Sequence, residues 1–116
     1  MKEGYKYLLV WQRGVEMSVA IYRLTAGFPR EEIYGLSSQL RRAGVSVPSN
    51  IAEGWGRETV IDKKRFFTMA RGSNMEIQTQ LVIAAELQFG ETSKRHIAED
   101  LSQQVGKMLV ALMKTM

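Results

Sequence analysis

Apolar side chains recur at alternating steps of three and four residues through four successive stretches, and no stretch alternates in steps of two. Only an α-helix brings positions so spaced onto one face. The first stretch runs from about Val10 to Ala26, with Val10, Gly14, Met17, Ile21, Leu24 and Phe28 in its stripe. Gly27, Phe28 and Pro29 break it. The second runs from about Glu31 to Arg57 through Leu36, Leu40, Ala43 and Val47, with Glu31 and Glu32 suited to the positive helix end. The third runs from about Ile61 to Phe89 on Phe66, Ala70, Ser73, Ile77, Gln80, Ala84 and Leu87. Thr59 and Asp62 resemble a capping box at its start, and Gly90 suits a C-terminal cap. The fourth, capped by Thr92 or Ser93, carries Ile97, Leu101, Val105, Met108 and Leu112. The connections are short, so consecutive helices must run antiparallel. The expected fold is all-α, an antiparallel up-down four-helix bundle, as a single domain over residues 1–116.

The second stretch carries Pro48 inside its helical pattern. Proline lacks an N–H, and its ring presses on the carbonyl four residues earlier. That residue is Gly44, which adds no side chain to the crowding. The pair predicts a tolerated kink at Pro48 rather than a stop. Continuing the stripe by three beyond Val47 reaches Asn50, then Gly54 and Arg57.

Polar residues therefore fall where a buried face is expected: Asn50 with Glu53 on the second helix, and Ser73, Glu76 and Gln80 on the third. Buried polar groups are costly unless bonded to one another. These five, with Arg42, are expected to form one shared hydrogen-bonded layer that fixes register and oligomer state. A cation held by Glu53, Glu76 and Asn50 is the competing reading. Di-iron bundles, however, need Glu-x-x-His pairs, and the one histidine, His96, stands near a helix start. No metal and no other cofactor is expected.

Composition narrows the function classes. There is no cysteine, which removes disulfides, thiolate zinc sites and a cysteine nucleophile, and fits a cytoplasmic protein. No run of 18 apolar residues appears, and the opening MKEGYKYLLVWQRG has too short an apolar stretch for a secretory signal. The glycines of GWGR follow a helix rather than a strand, so they are no phosphate loop. No catalytic constellation is visible, and a non-enzymatic protein is expected.

The formal charge is +4, and its densest part lies between residues 57 and 71. There Arg57, Lys63, Lys64, Arg65 and Arg71 face only Glu58 and Asp62, a net +3. This stretch surrounds the connection between the second and third helices, so it forms a patch at one bundle end. Such a patch contacts phosphates rather than reading bases. Arg41 is a further candidate for it. Trp55, nearby, is expected to close the bundle end rather than to stack on a base.

The segment QLRRAGVSVPSNIAEGWGR, with VWQ at Val10–Gln12, IY at Ile21–Tyr22, FP at Phe28–Pro29 and YGL at Tyr34–Leu36, carries a family resemblance. A-x-GS-x-x-E at Ala70–Glu76 and TQL at Thr79–Leu81 extend it. The chain resembles the small four-helix-bundle proteins encoded in intervening sequences of bacterial large-subunit ribosomal RNA genes. Tyr7 and Gln78 depart from the pattern, each standing where an acidic residue is usual. The resemblance implies a ring-shaped homo-oligomer, a pentamer, and no known catalysis. The surplus apolar residues Tyr5, Tyr7, Leu8 and Leu9 fit such an assembly. A related branch comprises the accessory variability proteins of diversity-generating retroelements, whose basic pentamer binds a reverse transcriptase and nucleic acid. The function expected from charge and resemblance together is a non-enzymatic scaffold binding RNA or DNA through phosphate contacts, beside a partner such as a reverse transcriptase. No membrane and no small-molecule substrate is expected. The alternative is a protein–protein scaffold whose positive charge is incidental.

Overall fold

The computed structural model describes residues 4–116. Four helices make up the fold: α1 Leu9–Thr25, α2 Leu36–Trp55, α3 Val60–Glu86 and α4 Thr92–Lys114. Single 3-10 turns at Tyr5–Tyr7 and Arg30–Tyr34 lead into α1 and α2, and no strand occurs among the described residues. Helix α1 packs against α2 and α4, and α3 against the same two, while the diagonal pairs do not meet. The antiparallel order shows in cross-contacts that step in opposite directions along neighbouring helices. Gln39 meets Gln80 and Ser46 meets Ser73, while Thr25 meets Arg41 and Asn74 meets Ser102. The bundle measures 43 × 22 × 21 Å, its long axis set by α3.

The stripe expected for α1 is the observed one: Val10, Gly14, Met17, Ile21, Leu24 and Phe28 are all buried. The other three stripes need correction. After Val47 the buried face of α2 steps by four to Ile51, not by three to Asn50. On α3 the core positions are Phe67, Ala70, Asn74, Ile77, Leu81 and Ala84, so Phe66, Ser73 and Gln80 sit one position beside it. On α4 they are Ala98, Ser102, Val105 and Leu109, and Ile97 is 55% exposed. The physical reason is that α3 and α4 carry apolar residues on more than one side. Met75, Val82 and Ile83 of α3 all face solvent, so two adjacent stripes match the helical period almost equally well.

The buried polar contact is a different one from the layer expected. Asn74 Nδ2 donates to the Ser102 carbonyl at 3.0 Å, and Ser102 Oγ donates to Asn74 Oδ1 at 2.8 Å. Both side chains are inside the core, and this reciprocal pair joins α3 to α4.

Helix α2 does not stop at Pro48, as expected, and continues to Trp55. Gly44 also faces α1. A Cβ at Gly44 would lie 3.1 Å from Ile21 Cδ1 and 3.7 Å from the Ser18 backbone, so α1 passes close to this glycine. Pro48 is buried against the other glycine of the crossing: a Cβ at Gly14 would stand 3.4 Å from Pro48 Cβ.

The helix ends follow local chemistry. Thr59 accepts from the Asp62 N–H at 3.1 Å, the cap expected for α3. Helix α2 starts at Leu36 rather than Glu31, because residues 30–34 form the tighter turn. Glu32 still caps it, accepting from the Leu36 N–H at 3.0 Å. The N-cap of α4 is Glu91, not Thr92 or Ser93, and its carboxylate pairs with Lys94 at 2.9 Å. Helix α3 ends in a Schellman arrangement: Phe89 N–H bonds the Ala84 carbonyl at 2.9 Å and Gln88 N–H the Ala85 carbonyl at 3.1 Å. Its left-handed residue is Gln88, φ 59°, not the expected Gly90. Gly90 also has positive φ, but there the close approach of Leu24 and Phe28 leaves no room for a side chain.

Candidate nucleic-acid interface

The antiparallel order gathers the α2–α3 connection, the start of α1 and the end of α4 at one end of the bundle. The Ser46–Ser73 and Asn74–Ser102 contacts mark its middle. On the connection side of that level lie residues 4–17, 46–73 and 104–114, with nine basic and four acidic side chains, a net +5. The remaining described residues carry six basic and seven acidic ones, a net −1. The charge excess of the described chain is thus confined to one end.

Within that end the predicted cations divide by how they are held. Lys63 is committed: its Nζ donates to the Trp55 carbonyl at 2.7 Å and lies 5.4 Å from the indole ring. It caps the C-terminus of α2, where a cation suits the helix dipole. Arg57 pairs with Glu53 at 2.9 Å and lays its guanidinium 4.6 Å from the Phe66 ring centroid. Arg65 approaches the same ring at 5.1 Å and makes only a long contact, 4.0 Å, with Asp62. Lys64 and Arg71 are exposed and have no ion-pair partner among the described residues. Arg65 and Arg57 are therefore held in position by an aromatic ring that does not neutralise them.

Arg41 does not belong to this surface. It lies toward the opposite end, donating through Nε to Thr25 Oγ1 at 2.8 Å with its guanidinium 4.8 Å from the Tyr22 ring centroid. Lys94 and Arg95 also lie at that opposite end, paired with Glu91 and Glu99. Trp55 is half-buried against the core at the bundle end.

The six residues expected to form a buried layer are placed differently. Arg42, Glu53 and Glu76 are exposed, and Glu53 serves Arg57. Asn50 Nδ2 donates to the Ser46 carbonyl at 2.9 Å, and Ser46 Oγ meets Ser73 Oγ at 2.9 Å, so a short polar chain links α2 to α3 at half depth. Gln80 reaches Gln39 at 3.4 Å. Arg42, Ser46, Ser73, Glu76 and Gln80 do share one surface groove of about 450 Å³ between α2 and α3. They line a groove rather than fill a core because Ile51 takes the buried place expected of Asn50, and Asn74 and Leu81 those expected of Ser73 and Gln80, while Leu40, Ala43, Val47, Ala70, Ile77 and Ala84 are buried as expected. Among the described residues no group of three His, Cys, Asp or Glu side chains lies close enough to hold a metal ion.

Two cations of the basic end escaped sequence reasoning. Lys107 and Lys114 of α4 share a groove with Arg71 of α3, although more than 35 positions separate them in the chain. Their seven-residue spacing places them on one side of α4. Only the pairing of α4 with α3 brings that side to Arg71. No helix among the described residues is long and apolar enough to cross a membrane.

Fold and surface define a small all-helical protein: four antiparallel helices around one apolar core, with positive charge drawn to one end. The chain belongs to the 23S rRNA-intervening sequence protein family, whose model matches residues 6–111. A solved structure similar to it is that of a protein of unknown function from the S23 ribosomal protein family of Bacteroides thetaiotaomicron. The two superpose with a TM-score of 0.81 at 19% identity, covering 91% of this chain and 99% of that one. At that identity the likeness concerns the fold. No curated protein matches the chain. The resemblance read from the sequence is the family found.

Proposed function

We propose that the protein is a non-enzymatic oligomeric scaffold whose basic end holds RNA or DNA by phosphate contacts. The observation that carries this reading is the charge segregation, +5 at the connection end against −1 at the other. Lys64, Arg65 and Arg71 are the contacts, with Arg57 adding to them. Lys63 is left out because the Trp55 carbonyl occupies it. Assembly into a ring, a pentamer in keeping with the family resemblance, sets several such ends against one polyanion and multiplies their effect. Where a reverse transcriptase is encoded beside this chain, that enzyme is the proposed protein partner.

Fluorescence anisotropy with labelled RNA and DNA oligonucleotides over a range of salt tests the reading. Binding should be similar for both nucleic acids and should fall steeply with salt. Changing Lys64, Arg65 and Arg71 together to Ser should weaken it, lowering the slope of log affinity against log salt by about 0.7–0.9 for each phosphate no longer neutralised. Absence of binding at low salt would remove the nucleic-acid role.

A further inference from the structure

We infer that the groove between α3 and α4 is a docking site for an amphipathic helix of a partner protein, with acidic residues flanking its apolar stripe. The groove has a volume of about 590 Å³. Met75, Val110 and Ala111 give it apolar walls, and Met75 is left 57% exposed by the fold. Gly106 also lines it, and a Cβ there would stand 3.3 Å from Asn74 Nδ2. Arg71, Lys107 and Lys114 line it, no carboxylate does, and none of the three has an ion-pair partner among the described residues.

Three considerations select the occupant. The lining contains no aromatic ring, so unstacked bases find no platform there. Aliphatic and thioether walls instead suit the i, i+3, i+7 side chains of a helix laid in a groove. The cations then choose its flank. Lys107 and Lys114 lie two turns apart on one side of α4, roughly 10 Å, and carboxylates at the same spacing on a partner helix meet both. A second copy of this chain docked groove to groove is disfavoured, because a two-fold axis there sets three cations against three. A basic partner helix is rejected for the same reason. The inference shares Arg71 with the proposed phosphate contacts, and Lys107 and Lys114 with the basic end as a whole.

The test uses the full chain and two labelled, stapled helical peptides with the same leucine stripe, one flanked by Glu and the other by Lys. The Glu-flanked peptide should bind saturably and at least about tenfold more tightly than its twin, since complementary charge sets partner choice. Lys107→Glu with Lys114→Glu should reverse that order. Met75→Gln and Ala111→Trp, both at exposed positions, should each weaken the Glu-flanked peptide several-fold while helicity, oligomer mass and RNA binding stay unchanged. No saturable binding, or equal binding of the two peptides, overturns the inference. So does RNA binding that is lost in Met75→Gln and Ala111→Trp, which would assign the groove to nucleic acid. Failure of the nucleic-acid reading is seen separately, as wild-type protein that binds no oligonucleotide at low salt.

Discussion

Asn74 and Ser102 satisfy each other inside the core, so removing one partner strands the other. Asn74→Leu should destabilise by about 1–3 kcal/mol, because a buried Ser102 hydroxyl then loses its acceptor. Combining it with Ser102→Ala should recover most of that loss, since an apolar pair leaves nothing unpaired. Chemical denaturation of the two single variants and the double one closes the cycle, and strictly additive losses would show that the pair is not coupled. Gln88 offers the opposite sign. Left-handed backbone costs a non-glycine residue about 1–2 kcal/mol, and glycine returns part of that through the unfolded chain. Gln88→Gly should therefore raise the melting temperature by a few degrees. An unchanged or lower value would mean that the Gln88 side chain contributes more than the strain costs.

The α1–α2 crossing is close because glycines face each other's helix at two levels. Gly14 receives Pro48, and Gly44 receives Ile21 and Ser18. Gly44→Val should cost about 1–3 kcal/mol by overpacking. If the cost comes from α1, Pro48→Ala in the same chain will not rescue it. Recovery of the thermal melt in that double variant would instead return Gly44 to the role of easing the proline ring. Helix α3 supplies a matched pair of tests. A Cβ at Gly54 of α2 would stand 2.8 Å from Phe67 Cε1, whereas Gly72 has nothing within 4 Å. Gly54→Ala should lower stability by about 1–3 kcal/mol, and Gly72→Ala should raise it by up to about 1 kcal/mol through helix propensity. A fall in the Gly72 variant would place that position under a neighbouring copy.

At the scale of the whole molecule, the ring is the expectation that separates most sharply from its alternative. Size exclusion with light scattering at micromolar concentration should report a mass near five times that of the 13.2 kDa chain. A particle of one chain's mass would leave the basic end with too few copies to gain from multivalency, and the ring would be withdrawn. If the ring forms with bundles side by side, the basic ends face one way and the assembly as a whole is polar. Reducing salt should then strengthen oligonucleotide binding but weaken the assembly, because like-charged ends repel.

Local chemistry in the chain was enough for the number of helices, their order and the start of α3, while several other ends moved by a few residues. Apolar periodicity, Thr59 with Asp62, and Pro29 act within a few residues of where they are read. The stripe of α1 was readable for the same reason, because its apolar residues occupy one side more cleanly. The faces of α3 and α4 were not. Asn74 is acceptable in a core because Ser102 comes to it from another helix, and it and Ala98 are buried while their apolar neighbours Met75 and Ile97 are exposed. Which cations stay open was likewise a tertiary outcome: Lys63 is taken by Trp55, and Arg41 by Thr25. Lys107 and Lys114 join Arg71 through helix pairing alone. Periodicity states that a helix has a buried side, but the energy difference between adjacent sides lies in partners that the linear chain does not place.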